Sequence, residues 1–297
     1  MSASPKSTLS AKLMLLSAMV IWPTLGLVRH HVPLDSAFLV AVRSVIGALC
    51  MLGALLLLRR RPDWAGIRAN AWLLAASGVA VGINWLLLFE AFSTTTVAVA
   101  TICYYMAPIL VMLASPLCLG ESINARKAVG ILCAFLGIAC VSGLFQRGAV
   151  AGVTIEGVLF GLGAAVFYAT LVLLNKRMRP MDPIEQTGVQ LFFAAAVLVP
   201  YVLSRPLPDI ALFTPTTVGL TLMLGFVHTG LACFLYFGSM QRLPAQTVAL
   251  LSYLDPILAV LFSVFLLGEP MTTMTVVGTV LVLGGALLGE RFTLKSK

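Results

Sequence analysis

Long apolar stretches recur along this chain of 297 residues, and short polar segments separate them. An apolar helix of about 20 residues crosses a bilayer core of about 30 Å, so each stretch predicts a membrane-spanning helix. The ten predicted spans cover residues 10–29, 36–58, 71–91, 95–118, 124–144, 155–175, 185–203, 217–239, 244–267 and 271–289. The pattern therefore predicts an all-α integral membrane protein with ten transmembrane helices.

The composition indicates the same class of protein. Hydrophobic residues make up 60% of the chain and charged residues 10%, with a mean hydropathy of +1.03. A soluble domain carries charge at about a quarter of its positions. No segment is long and polar enough to form a separate soluble domain. The apolar run of the first span, from Lys12 onward, shows no small-residue cleavage site, so we interpret the span as a retained helix and not as a signal peptide.

The basic residues predict how the chain is oriented in the bilayer. Of 19 Lys and Arg residues, 15 lie in the termini and in every second loop, three lie in the other loops, and Arg43 lies within a span. Basic loops stay in the cytoplasm, so both termini are predicted to be cytoplasmic. We therefore interpret the net charge of +8 as a consequence of membrane topology. The charges are scattered over six short segments, which does not indicate nucleic-acid binding.

An internal repeat appears when the chain is shifted by 148 residues. The shift aligns Tyr105 with Tyr253 and Pro108 with Pro256. Further matches are Gly82 with Gly230, Phe89 with Phe237, Leu119-Gly120-Glu121 with Leu267-Gly268-Glu269, Gly130 with Gly278, and Gly137 with Gly285. The predicted copies are residues 1–148 and 149–297, with five helices each. Because five is odd, the two copies are expected to lie in the membrane with opposite orientation.

The repeated prolines fall near the centres of spans four and nine. Proline lacks the N–H that would pair with the carbonyl four residues earlier, which predicts that the carbonyls of Tyr104 and Ser252 lose their helical partners. Kinks that improve helix packing are one interpretation. The other is that Pro108 and Pro256 are bending points beside a midplane cavity, which spans three, four, eight and nine would enclose.

With ten spans, two inverted copies and paired "PIL…LGE" segments, the chain resembles the drug/metabolite transporter superfamily, specifically its EamA-type members. Arg43 and Asp255 match an arginine and an acidic residue common in the two copies of that family. The resemblance implies export of amino acids or other small metabolites across the inner membrane of a bacterial cell. Export of cationic drugs or other metabolites is the alternative, and a membrane-embedded acyltransferase or a scaffold is the alternative outside transport.

Ionisable groups at membrane depth are candidate functional residues. Asp255 could neutralise a substrate ammonium, carry a coupling proton or pair with Arg43, and it could also cap the broken backbone at Pro256. Arg43 could bind a substrate carboxylate through its guanidinium fork, snorkel to the interface or form a structural ion pair. Glu121 and Glu269 lie at helix ends beside glycines, and we expect both to bond to nearby helix termini.

Asn84 and His228 lie on equivalent helices, each one turn from the position that aligns with the other, which predicts a shared inward face. His228 could respond to pH or act only as a hydrogen-bond partner. Tyr104 and Tyr105 are about 100° apart on a helix, so only one of them is expected to face the cavity. The other candidate lining residues are Trp22, Trp85, Tyr168, Ser252 and Tyr253.

Other functions have weaker sequence support. His30 and Asp35 have the His-x4-Asp spacing of some acyltransferases, but they lie in a short turn with no domain for an acyl carrier. No filter-like segment or charged ring indicates a channel. All six cysteines lie within spans, and no metal-ligand spacing appears. With no cofactor motif and no nucleotide-binding loop, transport is expected to be facilitated or driven by an ion gradient.

Overall fold

A computed structural model describes residues 5–120, 123–142, 152–240, 242–243 and 245–293. These residues form helices and connecting turns, with no strand in the described ranges. The helices are α1 (Pro5–Ile21), α2 (Thr24–His30), α3 (Ser36–Leu57), α4 (Trp64–Ala69), α5 (Ala71–Thr94), α6 (Val97–Tyr104), α7 (Ala107–Leu119), α8 (Ala125–Val141), α9 (Ile155–Arg177), α10 (Pro183–Leu203), α11 (Pro215–Gly225), α12 (Ala232–Met240), α13 (Ala245–Ser252), α14 (Leu254–Leu267) and α15 (Thr273–Thr293). A 3₁₀ turn spans Ile210–Leu212, and a π-helical segment, Phe226–Leu231, joins α11 to α12.

The helices confirm the predicted all-α membrane fold. Seven helical stretches of the described chain are long and apolar enough to cross a bilayer, and Leu254–Leu267 (α14) and Thr273–Leu288 (within α15) are shorter apolar stretches. The short helix α8 occupies the predicted fifth span, and α13 with α14 occupies the ninth. Every predicted span therefore contains helix, and the fold is that of a ten-span membrane protein with two repeats.

Besides spans four and nine, two spans differ from the uninterrupted helices that the hydropathy pattern predicts. The first span stops at Ile21 and restarts at Thr24, because Pro23 cannot donate a backbone hydrogen bond within a helix. The eighth span widens into the π-helical segment, whose turn contains one residue more than an α-helical turn. The apolar run continues through both irregularities, so hydropathy alone does not reveal them.

Spans four and nine are broken at equivalent residues, as the repeated prolines predict. Helix α6 ends at Tyr104 and α13 ends at Ser252, which is 148 residues later. Pro108 and Pro256 then lie in the first turns of α7 and α14, where a missing N–H leaves no helical bond unmade. Each proline therefore starts a new helix after the break.

The two copies also share the turn that follows the broken span. Helices α7 and α14 end at Leu119 and Leu267, and the next residues, Gly120 and Gly268, have φ of 68° and 65°. A left-handed residue after a helix is usually glycine, since other residues meet a steric penalty there.

Equivalent polar side chains cap the last helix of each copy. Asn124 accepts a hydrogen bond from the backbone N–H of Lys127 at the start of α8. Thr272, 148 residues later, accepts from the N–H of Thr275 at the start of α15. Such caps satisfy N–H groups that have no partner within the helix. The repeat thus extends to hydrogen bonds made by different residue types.

The described chain forms two compact units, and each unit contains helices from both sequence copies. The first unit consists of Met1–Ile83 with Arg177–Leu258. Within it, α3 packs against α10, its equivalent in the other copy. A Cβ at Gly188 would meet Met51, and a Cβ at Gly47 would meet Leu191. The two contacts run in opposite chain order, so the helices are antiparallel.

The second unit consists of Asn84–Lys176 with Ala259–Lys297. Its most extensive helix pair is α8 with α15, which are also equivalent in the two copies. A Cβ at Gly137 would lie 2.7 Å from the carbonyl oxygen of Gly278, and a Cβ at Gly285 would collide with the carbonyl of Gly130. Glycine permits this close backbone approach.

Candidate functional site

A cluster of polar side chains is buried in the first unit, where α1 and α3 meet the π-helical segment. The cluster consists of Trp22, Thr24, Arg43, His228 and Thr229, and we call it the His228 cluster. Trp22 Nε1 donates to the carbonyl oxygen of His228 at 3.0 Å, and Thr24 Oγ1 lies 2.8 Å from His228 Nε2. Tyr236 of α12 packs against Trp22 with the two rings tilted and their centroids 5.0 Å apart. The cluster brings together three of the predicted site residues, Trp22, Arg43 and His228.

The π-helical turn explains the orientation of His228 and Thr229. Both side chains turn back to carbonyls five residues earlier: Thr229 Oγ1 donates to Leu224 at 2.9 Å, and His228 Nδ1 lies 3.3 Å from the oxygen of Met223. Carbonyls in a widened turn are available to such side chains, and π-bulges often occur at functional sites. The side chains of His228 and Thr229 are fully buried.

The hydrogen bonds of Thr24 indicate which nitrogen of the His228 ring carries its proton. Thr24 Oγ1 donates to the carbonyl of Ile21 at 2.7 Å, so its single proton is used and it accepts from His228 Nε2–H. The neutral imidazole then has no proton on Nδ1 for the carbonyl of Met223.

Arg43 is 2% exposed, which places its guanidinium inside the first unit and not at an interface. Its Nε donates to Thr229 Oγ1 at 3.1 Å, so the snorkelling interpretation is wrong for this residue. Thr229 Oγ1 in turn donates a hydrogen bond to the carbonyl oxygen of Leu224. The π-helical segment thus positions a cation at membrane depth.

The second break of the fold, between α13 and α14, carries four predicted site residues in sequence: Ser252, Tyr253, Asp255 and Pro256. Asp255 lies in the first turn of α14 and is partly exposed. Ser252 Oγ donates a hydrogen bond to the carbonyl oxygen of Val248 in the last turn of α13. Tyr253 is buried in the turn between the two helices. The carboxylate of Asp255 is therefore held beside a helix N-terminus, where the helix dipole favours a negative charge.

The first break, between α6 and α7, carries a group of tyrosines in the second unit. The ring of Tyr104 lies edge-on to Tyr105, with centroids 5.9 Å apart, and edge-on to Tyr168 of α9 at 5.4 Å. Tyr104 and Tyr105 are both half-buried because they flank the break. Pro108 follows in the first turn of α7.

Asn84 connects two helices of the second unit. Its Nδ2 donates to the carbonyl of Ala164 on α9 at 2.6 Å, and the side chain is 1% exposed. Its neighbour Trp85 is half-buried on the same helix. An amide that bonds across helices inside a membrane stabilises their packing. Asn84 therefore has a structural role in this conformation.

Glu269 caps the helix that starts span four, as expected from its position. Its two oxygens accept from the backbone N–H groups of Val97 at 3.0 Å and Ala98 at 3.4 Å, and Ser263 Oγ donates to the same carboxylate. A carboxylate at a helix N-terminus satisfies unpaired N–H groups and interacts favourably with the helix dipole. The equivalent Glu121 lies outside the described residues.

The carboxylate of the His-x4-Asp spacing has a structural role. Asp35 Oδ1 accepts from the N–H groups of Ala37 and Phe38 and so caps α3. The other oxygen of Asp35 lies 3.7 Å from Arg205. A carboxylate held in this way does not orient His30 as a catalytic base. In the described ranges, no three His, Cys, Asp or Glu side chains are grouped to hold a metal ion.

A polar contact that the sequence did not indicate joins two loops of the first unit. Buried Asn70 donates to the carbonyl of Arg179 and accepts from its N–H, and Glu185 accepts from the N–H of Asp63. Arg60 forms an ion pair with Asp182. These partners lie 109 to 122 residues apart, so no local pattern reveals them.

The fold and the site define a class of protein: a multi-pass membrane protein built from two repeats, with broken helices and buried polar groups at membrane depth. The sequence model of the EamA-like transporter family matches residues 9–143 and again residues 155–289. The chain therefore belongs to the EamA-like transporter family, which is part of the drug/metabolite transporter superfamily. It is accordingly a multi-pass membrane protein whose substrates are small molecules.

Similar proteins are known across nearly the whole length of the chain. An uncharacterized transporter of Bacillus subtilis, YxxF, is 27% identical and covers 97% of this chain and 91% of its own. Protein PecM of Dickeya dadantii is 26% identical and covers 93% of this chain and 91% of its own. A solved crystal structure covers 96% of this chain and 98% of its own, with a TM-score of 0.63 at 21% identity, which is evidence for the fold alone.

Proposed function

We propose that the protein is a secondary transporter that exports amino acids or similar zwitterionic metabolites by alternating access. The observation that carries this proposal is the pair of broken helices, α6–α7 and α13–α14, which stop at residues 148 positions apart. In secondary transporters, broken helices of equivalent repeats mark substrate sites near the bilayer midplane. At such a break, N–H and C=O groups at the helix ends can bind a solute in a region that contains little water.

A zwitterion needs a partner for its ammonium and one for its carboxylate. Asp255, partly exposed in the first turn of α14, is the proposed ammonium partner. Arg43, held by Thr229, is the proposed carboxylate partner, since a guanidinium fork fits a carboxylate. Pairing of Asp255 with Arg43 is the alternative that the sequence analysis left open. Loss of hydration opposes a buried charge contact, so modest affinity is expected, which suits a carrier that must release its solute.

The breaks are also proposed to act as hinges. Pro108 and Pro256 lie in the first turns of α7 and α14 and donate no backbone hydrogen bond, so bending at Tyr105 and Tyr253 costs fewer hydrogen bonds than bending inside a continuous helix. Tyr104, Tyr105, Tyr168, Trp22 and Trp85 are proposed to line the solute path. Asn84 and His228 are proposed to act as donors to the solute in another conformation of the carrier.

The orientation in the bacterial inner membrane follows from the basic loops, with both termini in the cytoplasm. Single cysteines at Arg68 and Leu207, in a variant without the six native cysteines, would test it with a membrane-impermeant thiol reagent. Both positions are exposed. Leu207→Cys should react from outside intact cells, and Arg68→Cys should react only after lysis. The reverse pattern would contradict the orientation.

Solute transport by the purified protein in liposomes tests the proposed function. Labelled amino acids, a neutral sugar and a cationic drug are loaded, and efflux is followed with and without a pH gradient. Efflux of zwitterions that exceeds that of protein-free liposomes supports the proposal. Efflux of the cationic drug alone would favour a drug exporter.

A further inference from the structure

An apolar groove lies on the first unit between the second half of α3 and the end of the π-helical segment. Its volume is about 380 Å³, within the range of ~300–1,000 Å³ that is typical of small-molecule sites. Small residues, Gly53 and Ala54, form the α3 wall, and Leu57 forms its end. Gly230 and Leu231 form the opposite wall. The groove is thus lined by apolar groups and is separate from the polar His228 cluster.

The groove exists because two helices that touch at their middle then diverge. A Cβ at Gly225 would lie 2.6 Å from Ile46, and a Cβ at Gly230 would lie 2.6 Å from the sulfur of Cys50. One turn further along α3, a Cβ at Gly53 would meet no atom within 4 Å. Close contact therefore ends at Cys50, and the space beyond it is open. Leu57, at the end of the groove, is 87% exposed.

Three consecutive arginines follow the last groove residue at the end of α3 in the sequence. Leu58, a groove residue, is followed by Arg59, Arg60 and Arg61, which are all exposed. Arg60 is paired with Asp182, whereas Arg59 has φ of 52° and turns the chain immediately after the groove. Basic clusters directly beside a transmembrane helix attract anionic lipids.

Two exposed tryptophans indicate that this end of α3 lies at the level of the lipid headgroups. Trp64 and Trp72 are 64% and 66% exposed, and exposed tryptophans in membrane proteins concentrate at the membrane–water interface. An apolar groove with arginines at its headgroup end matches one ligand in particular, an acyl chain attached to a negatively charged headgroup.

We infer that this groove binds one anionic phospholipid, with an acyl chain along Gly53 and Gly230 and its phosphate at Arg59 and Arg61. A second copy of the chain is a poorer occupant. In a two-fold dimer the same surface meets itself, so the arginine clusters of the two copies would approach each other. A zwitterionic lipid would bring its ammonium beside the arginines, and this repulsion would offset the attraction of its phosphate.

Native mass spectrometry of the full-length protein tests the inference, after titration with phosphatidylglycerol or phosphatidylcholine at equal concentration. The wild-type protein should bind phosphatidylglycerol at least about tenfold more tightly than phosphatidylcholine. Both lipids carry a phosphate, but only phosphatidylcholine would also bring a choline cation beside Arg59 and Arg61, where like charges repel. Arg59→Gln with Arg61→Gln should abolish this preference. Arg205→Gln, a change of an exposed arginine at another loop, should leave it unchanged.

The groove itself is tested by Gly53→Leu, which places a larger side chain in the groove at a position where a Cβ meets no atom within 4 Å. Gly219→Leu is the matched control, because a Cβ at Gly219 also meets no atom within 4 Å. Gly53→Leu should lose tight phosphatidylglycerol binding, and Gly219→Leu should keep it. Equal binding by both variants would overturn the inference, as would equal binding of the two lipids by the wild-type protein. If glycerol phosphate, which has no acyl chain, bound as tightly as phosphatidylglycerol, the inference would also be overturned. A wild-type dimer that Gly53→Leu dissociates would overturn it as well.

Discussion

Gly137 on α8 and Gly278 on α15 lie so close that neither could carry a side chain without displacing the other's backbone. A Cβ at Gly137 would lie 2.7 Å from the Gly278 carbonyl oxygen, and a Cβ at Gly278 would lie 2.5 Å from that of Gly137. Gly130 and Gly285 form the second contact of this pair of helices. Gly137 is equivalent to Gly285 in the repeat, and Gly130 is equivalent to Gly278. Exchanging the two copies therefore converts one of these contacts into the other. Within the second unit, the two copies are therefore related as an inverted repeat.

Alanine at Gly278 should destabilise the protein, because its methyl group would meet backbone that cannot rotate away. Overpacking of this kind costs about 1–3 kcal/mol. Gly284→Ala is the control on the same helix, since a Cβ at Gly284 meets no atom within 4 Å. Thermal unfolding in detergent should show a lower midpoint for Gly278→Ala and an unchanged or higher one for Gly284→Ala. Equal midpoints would show that the glycine contact is dispensable.

Glu269→Gln should destabilise the start of span four. The carboxylate accepts from two N–H groups and one hydroxyl, whereas a glutamine has only one oxygen to offer. The expected loss is about 1–2 kcal/mol, typical of a lost helix cap. Glu156→Gln makes the same change at an exposed residue in the first turn of α9. Thermal unfolding should separate the two variants, and the cap assignment fails if both behave like the wild-type protein.

The sequence predicted the features that depend on local chemistry. The offset of 148 residues placed the breaks at Pro108 and Pro256, because proline acts on its own turn. The position of Glu269 beside Gly268 also indicated a helix-end role correctly. Such features need no knowledge of the neighbouring helices.

Features that depend on distant partners were not predictable from the sequence. Arg43 is held by Thr229, 186 residues away, so its burial was not evident from the apolar run around it. The π-helical segment has no proline, and the run Phe226–Leu231 is compatible with a plain α-helix. Pro23 breaks the first span but has no proline at the aligned position 171, so the repeat gave no reason to single it out.

Replacing the prolines at the breaks should slow transport more than it lowers expression. In Pro108→Ala and Pro256→Ala, alanine can donate to the carbonyl four residues earlier, which favours a continuous helix across the break. Pro200→Ala is the control, since Pro200 lies inside α10 and outside both breaks. Initial transport rates per unit of inserted protein should fall several-fold for the two break variants only. Wild-type rates in both would favour the interpretation of the prolines as packing kinks.

A zwitterionic solute is proposed to be recognised beside the broken helices, with Asp255 as the partner of its ammonium. Solute counterflow in liposomes, with wild-type protein and Asp255→Asn compared at equal reconstitution, measures this directly. Asparagine keeps the shape and removes the charge, and a lost charge-assisted hydrogen bond corresponds to a change of about tenfold or more. Counterflow of zwitterions should therefore fall about tenfold, while that of a neutral solute should change little. Zwitterion counterflow at the wild-type rate in Asp255→Asn, with unchanged pH dependence, would contradict the account.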